Sequence, residues 1–373
     1  MTNCIEKPFE FYRGNDGCEF PKTTVNNWYK ARAYILDRLK GIAFKPDEDT
    51  HLHVIVNGDS PLMLSVVRQL ALSAHYINYD EEKMLNRTVV TIVSSKGEEV
   101  IAELKKEEYL NNLLDLCKYT VNNTPEHEDS YIDIEFEVAT ELPKIDEKNQ
   151  NEILIQEKEV DSYCNSKSED EIYSIDTRKA QYADRMYYLG TLIENLPAEN
   201  IHDASRYSLA LDVFQFNKLQ DPLGNLINSS EWENNQASVR NGLSNLFCAD
   251  CFESREASIE LCRKDKKQKT AELWTNYNEA LSKSEHARWV VEKLIMGFRP
   301  LTKEERLEDE SIAYDKKRRK EYRDNLKKRA KDPAHIDLCS YRTLRRVNPD
   351  DMKYDSFLML AIPKILEKTK RNK

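Results

Sequence analysis

Leu52-His53-Val54-Ile55-Val56-Asn57-Gly58-Asp59-Ser60-Pro61-Leu62-Met63 decides the fold of this chain. A compact apolar run ends at an Asn-Gly-Asp turn, and a helical pattern follows at once. Leu62, Val66 and Leu70 fall on one helix face, with Met63, Val67 and Ala71 beside it. Ser60 suits the N-cap, and Pro61 suits the first helical position, where a missing N–H breaks no bond. Next, Arg87-Thr-Val-Val-Thr-Ile-Val93 is nearly continuous in β-branched residues, as in a buried central strand of a parallel sheet. Glu98 to Tyr119 returns to helical spacing, and Tyr131-Ile-Asp-Ile-Glu-Phe-Glu-Val138 alternates as a strand does. Strand, helix, strand, helix, strand implies a βαβ-type parallel sheet.

Outward from this centre the pattern changes. Upstream, Trp28, Ala31, Ile35 and Leu39 share one face of a helix expected over Thr24 to Leu39. Downstream, residues 143–170 are polar and acidic apart from Ile153–Ile155, and read as a linker or insertion. Residues 171–196 show helical spacing through Tyr182, Met186, Tyr187, Leu189, Leu192 and Leu196. Leu209 to Phe216 is a short apolar run that fits either helix or strand. From Ala237 onward the chain reads as mostly helical. The expected division is a Rossmann-like α/β domain with an N-terminal helix over 1–142, an acidic linker over 143–170, a helical or mixed continuation over 171–265, and a small domain over 266–373.

Composition narrows the function. The chain has 373 residues, enough for two or three domains at about 100–200 residues each. Its net charge of −10 argues against a protein coated in positive charge for non-specific DNA binding. It holds 9 glycines, so it can build few loops in which backbone closely approaches a phosphate. Its 8 cysteines are scattered without a framework spacing, as expected of reduced thiols in a cytoplasm. There is no apolar leader and no run long enough to span a membrane, so no membrane insertion is expected.

Three local features bear on chemistry. Gly58, Asp59 and Ser60 stand where a dinucleotide fold puts its phosphate loop, before a helix N-terminus that could meet an anion. That fingerprint needs Gly at three places, and Ser60 and Met63 hold the second and third. The next strand ends in Val93-Ser94-Ser95, with no acid to hold a ribose. The turn therefore reads as a degenerate nucleotide site; no cofactor is expected, with a nucleotide as the one to consider. Cys248-Ala-Asp-Cys251, with Cys262 near, has metal-ligand spacing but lacks a second pair, so buried thiols are expected and no metal. Lys316 to Lys331 carries ten Lys or Arg. This run is expected to be a solvated segment, and any nucleic-acid contact would have to be made there.

The most specific segment runs from Ala271 to Leu366. His286, Trp289 and Lys293 share a helix face, and Gly297 is suited to end that helix in a left-handed cap. Phe298 and Arg299 follow. Beyond the basic run come His335-Ile-Asp-Leu-Cys-Ser-Tyr341-Arg-Thr-Leu344, the helix start Asn348-Pro349-Asp350-Asp351, and Lys353-Tyr354-Asp355. The aromatics offer stacking surface, and His286 and Arg299 offer donors to an anion.

His286, Trp289, Gly297, Leu338, Tyr341, Leu344, Lys353 and Asp355 fall in the order of the ryanodine-receptor (RyR) domain family, which residues 266–373 resemble. Phe298 replaces the family's Trp, and the basic run is inserted. The resemblance implies a non-catalytic sensory module, and bacterial and phage relatives join it to TrkA-like Rossmann domains in conflict or signalling systems. It implies a small nucleotide-like or other anionic ligand held by His286, Trp289, Phe298, Arg299, Tyr341, Tyr354 and Asp355, with the Rossmann-like domain pairing into a homodimer. Two other functions are weighed. A nucleotide- or nucleic-acid-processing enzyme would have to use Asp59, His286 or His335, which show no catalytic spacing. A structural or assembly protein would use the small domain for protein contacts.

Overall fold

The computed structural model describes residues 22–127, 130–144, 151–157, 186–189, 239–329 and 331–371. Among these, strands build a sheet in the N-terminal half and helices fill the C-terminal half. α1 (Lys22–Leu39) buries Trp28, Ala31, Ile35 and Leu39, the face expected from their spacing. β1 (His53–Asn57) leads through Gly58 into α2 (Pro61–Ser73), and β2 (Thr88–Val93) follows. The Ser60 hydroxyl accepts the Met63 N–H at 3.3 Å, so the N-cap forms as its residue types dictate. α3 (Glu98–Leu104) is shorter than the expected helix; a single 3₁₀ stretch, Asn111–Asp115, takes up part of the remainder.

β3 (Tyr119–Val121), β4 (Thr124–His127), β5 (Ile134–Ala139), β6 (Glu152–Glu157) and β7 (Met186–Leu189) complete the sheet. Its order is β4-β3-β5-β2-β1-β6-β7, and only the β3–β4 pair is antiparallel. Two expectations are corrected here. Within 143–170, read as a linker, β6 is an inner strand, its Ile153, Leu154 and Ile155 buried beside β1. Within 171–196, read as helical, Met186–Leu189 pairs in parallel with β6. Leu209–Phe216 lies outside the described residues.

Alternation sets the two faces of the sheet. Val54, Val56, Val90, Ile92, Ile134, Phe136 and Val138 enter the main core with α1 and α2. The opposite face carries a small apolar cluster of Ile55, Val93 and Leu154. It also carries a polar chain: Glu152 Oε1 lies 2.7 Å from His53 Nδ1, His53 Nε2 lies 2.8 Å from Thr91 Oγ1, and the Thr91 hydroxyl donates to Glu137 at 2.7 Å.

The helical half comprises α4 (Val239–Asp250), α5 (Phe252–Leu261), α6 (Thr270–Asn276), α7 (Asn278–Ile295), α8 (Lys303–Ser311), α9 (Lys316–Lys327), α10 (Tyr341–Val347) and α11 (Pro349–Arg371). Two-residue strands β8 (Arg299–Pro300) and β9 (Ala334–His335) pair in parallel between them. None of the described helices is long and apolar enough to cross a membrane. The two halves share one core. Phe247 of α4 meets Trp28 edge-on at 6.0 Å, and Val290, Val291, Leu294 and Ile295 of α7 join the sheet-side cluster. Burying four such aliphatic side chains contributes roughly 6–12 kcal/mol of transfer free energy as an upper bound. Residues 266–373 therefore share a hydrophobic core with the sheet.

Candidate ligand-binding cavity

α7 positions the site. The helix closes at Gly297, whose φ of 83° is left-handed. Phe298 N–H donates to Lys293 O at 2.9 Å and Gly297 N–H to Leu294 O at 3.0 Å, the paired bonds of a Schellman motif. One face of α7 carries a buried charge ladder. Arg255 of α5 lies 2.8 Å from Glu285 Oε2, Arg288 grips Glu285 through Nε and Nη2 at 2.9 Å each, and Arg288 Nη1 bonds Glu292 at 2.5 Å. Burial pushes the Glu285 carboxyl up, but Arg288 and Arg255 outweigh it and hold it at about 2. Lys293 and Arg288 likewise outweigh burial and lower Glu292, and Glu285 and Arg288 line a cavity of about 410 Å³.

The walls of this cavity come from α4, through Ser244, Asn245 and Cys248, and from α7, α9, α11 and the β9–α10 segment. His286 is buried; its Nε2 donates to Cys339 O at 2.8 Å, and its Nδ1 lies 3.5 Å from Asp355 Oδ2. Burial lowers its pKa, but Asp355 and the Cys339 carbonyl overcome this and leave it raised. Trp289 lies between two neighbours on its own helix. The His286 ring stacks 6.1 Å away and Lys293 Nζ sits 5.7 Å from the ring centroid. Its faces are thus partnered within the helix, and His335 meets it edge-on at 4.9 Å. Tyr354, half exposed, stands at the rim.

His335 is the informative wall residue, buried to 9% exposure. Its Nδ1 accepts the Asp337 N–H at 3.2 Å, which puts the ring proton on Nε2. Burial, with Lys327, Lys293, Arg323 and His286 around it, holds its pKa well below the usual histidine value. The ring is therefore neutral, and its Nε2–H has no hydrogen-bond acceptor among the described residues. Lys327, from the end of α9, lines the same cavity and makes no ion pair among the described residues. Asp337 is pushed up to about 6 by burial and by Asp351. Asn348 bridges the two carboxyls at 2.8 and 2.7 Å.

Of the residues expected at the site, His286, Trp289, Tyr354 and Asp355 line the cavity. Tyr341 contacts His286 edge-on at 5.6 Å but faces the neighbouring cleft. Phe298 is buried in the shared core, 6.4 Å from His335. Arg299 is no free donor: it pairs with Glu305 at 2.7 Å and with Asp332 at 2.6 Å, clasping the α8 start to the loop before β9. Lys327, Asp337 and Asp351 do not stand out in the sequence. Their signals are one lysine within a basic run, one aspartate between Ile336 and Leu338, and one in the helix start at Asn348–Asp351.

Several of the other singled-out side chains are partnered by the chain itself. At the Gly58 turn, φ is 131°, which favours glycine. The Asp59 carboxylate accepts from Ser94 Oγ and, at 2.8 Å, from Lys96 Nζ. Burial raises its pKa, but Lys96 and Ser94 outweigh this and leave it lowered. A carboxylate thus precedes the helix where a phosphate would approach. Cys248, Cys251 and Cys262 are buried thiols, Cys248 among the residues lining the cavity, and burial pushes Cys251 up to about 11. No metal-holding cluster of His, Cys, Asp or Glu occurs among the described residues. The basic run forms α9, capped by Asp315. Its Arg319 and Arg323 clamp the buried Asp309 at 2.6 Å each, while Lys316, Lys317 and Lys320 are exposed.

Compared with models of known protein families, with curated proteins and with solved structures, the chain matches none of them.

Proposed function

We propose that this is a non-catalytic sensor or regulatory protein that binds a small anionic ligand, a nucleotide-like one included, in the cavity between α7, α9 and α11. The observation that carries this reading is a pair of uncommitted donors, the His335 Nε2–H and the Lys327 ammonium, on the walls of one cavity. A volume of about 410 Å³ falls within the usual range of small-molecule sites. On this reading residues 266–373 are an RyR-like module. The sheet is a Rossmann-like scaffold and pairing surface whose own phosphate position is filled by Asp59. The groups an enzyme would use support a non-catalytic role: both nitrogens of His286 are engaged, His335 Nδ1 is engaged, and Asp59 is bound by Ser94 and Lys96.

A thermal-shift screen of nucleotides, cyclic nucleotides and sugar phosphates tests it. At a hundredfold excess over Kd, a ligand adds about 2.7 kcal/mol to stability, so a rise of several degrees is expected. Lys327→Met should remove the rise without lowering the unliganded midpoint. No stabilisation by any anion in the screen would sink the reading.

A further inference from the structure

The cavity holds two electrostatic mismatches side by side. Asp337 is a buried acid that makes no ion pair with a lysine or arginine among the described residues. Its nearest basic group is His335 Nδ1, at 3.6 Å from Oδ2, and that nitrogen is occupied as an acceptor of the Asp337 N–H. Lys327 acts on Asp337 without forming an ion pair, Arg323 lies near but is committed to Asp309, and Asp351 adds a like charge. His335 is the converse. It is a base among Lys327 and Arg323 of α9 and Lys293 and His286 of α7; Asp337 lies on its Nδ1 side, and its Nε2–H meets no carboxylate among the described residues. Lys293 is spoken for by Glu292 at 2.8 Å and His286 by Asp355, which leaves Lys327.

An anion alone resolves one mismatch and aggravates the other, because it would sit beside Asp337 and Asp351. A cation alone does the reverse. Resting on the sensor reading above, we infer that the cavity is built for a zwitterion, its carboxylate or phosphate held by Lys327 and the His335 Nε2–H and its ammonium held by Asp337 and Asp351. Leu344, Leu358 and the Trp289 edge provide apolar wall for the body of such a ligand. Amino acids and aminoalkyl phosphates share this chemistry. Occupation reverses both mismatches: the ammonium lowers the Asp337 pKa, and the anion raises that of His335.

Calorimetry on the full chain with charge-matched sets tests the inference. L-Phenylalanine is compared with 3-phenylpropionate and phenethylamine, and O-phosphoethanolamine with methyl phosphate and ethylamine, with AMP as the nucleotide arm. One zwitterion should bind at least tenfold more tightly than both of its single-charge counterparts and than AMP. Which set shows the preference separates amino acids from aminoalkyl phosphates. Asp337→Asn and Lys327→Met should each erase the tenfold preference, and Lys327→Arg should restore most of it. Carbon-detected and imidazole NMR should show the Asp337 pKa falling and the His335 pKa rising on binding. AMP or methyl phosphate binding as well as the zwitterions, with Asp337→Asn neutral or favourable, overturns the inference while the sensor reading stands. No heat from either zwitterion, with the variants' circular dichroism unchanged, also overturns it. The anion screen then decides the sensor reading separately.

Discussion

The Gly58 turn and the α7–α9–α11 cavity are the two places where the sequence points to a ligand, and they are finished differently. At the turn, the chain supplies both partners: Asp59 is answered by Lys96 and Ser94, and the helix start is capped by Ser60. Beneath the cavity, Glu285 and Glu292 are matched in charge by Arg255, Arg288 and Lys293, although the buried Arg255 Nε and Nη1 find no hydrogen-bond partner among the described residues. On the walls, Asp337 and Lys327 influence one another without forming an ion pair, and the His335 Nε2–H has no acceptor among the described residues. A site is thus marked by the charges a fold leaves unanswered, more than by its position after a strand.

The strongest test of this contrast is the floor. Glu285→Ala removes one member of a buried ladder and leaves Arg255 and Arg288 uncompensated. A loss of about 3–5 kcal/mol in denaturant-measured stability is expected. A loss under about 1 kcal/mol would show that water, rather than the carboxylate, balances those guanidinium groups.

The sharpest test is one substitution made in both regions. Burial and Asp351 push Asp337 up to about 6 in the fold, against about 3.9 in an unfolded chain. The folded state therefore holds the proton more tightly, and stability falls as pH rises between those values. Asp337→Asn should stabilise the unliganded protein by roughly 2–3 kcal/mol above pH 7, at about 1.4 kcal/mol for each pH unit separating the two values, with the gain fading by about pH 4. Asp59→Asn should act in the opposite direction. Its folded pKa is lowered, so its contribution is present at neutral pH and is lost as the pH falls through the carboxylate range. The expected cost is about 0.5–1.5 kcal/mol at neutral pH. Urea midpoints at pH 4 and pH 7.5 would reveal equal signs, which the contrast forbids. The smallest effect is Ser60→Ala, a lost cap of about 1 kcal/mol, read by the same urea midpoints and with no change in ligand binding.

Legibility follows how local each signal is. β1, α2 and β2 can be read because apolar runs, a cap and β-branched residues lie within a few positions of one another. β6 escapes because three apolar residues, Ile153–Ile155, are averaged into an acidic stretch, although parallel pairing on both sides is what buries them. Met186 and Leu189 mislead because a spacing of three fits a helix, and nothing local records the neighbouring strand. At the site, His286 and Trp289 are legible as one face of α7, and Tyr354 and Asp355 as part of a helix start. Lys327, His335 and Asp337 line one cavity only because α9 and β9 come together beside α7. Arg299 reads in the sequence as a free donor to an anion, but its partners Glu305 and Asp332 lie in other elements, which hides its role as a clasp.

α2 is buried along its length from Leu62 to Ser73, with the sheet, α1 and α7 packed around it. The consequence concerns how the molecule can be taken apart. A fragment such as 266–373 would bare Val290, Val291, Leu294 and Ile295, and the complementary fragment would bare one side of α2. Because both fragments would expose this shared core, occupancy of the cavity should register in hydrogen exchange along β1 and α2.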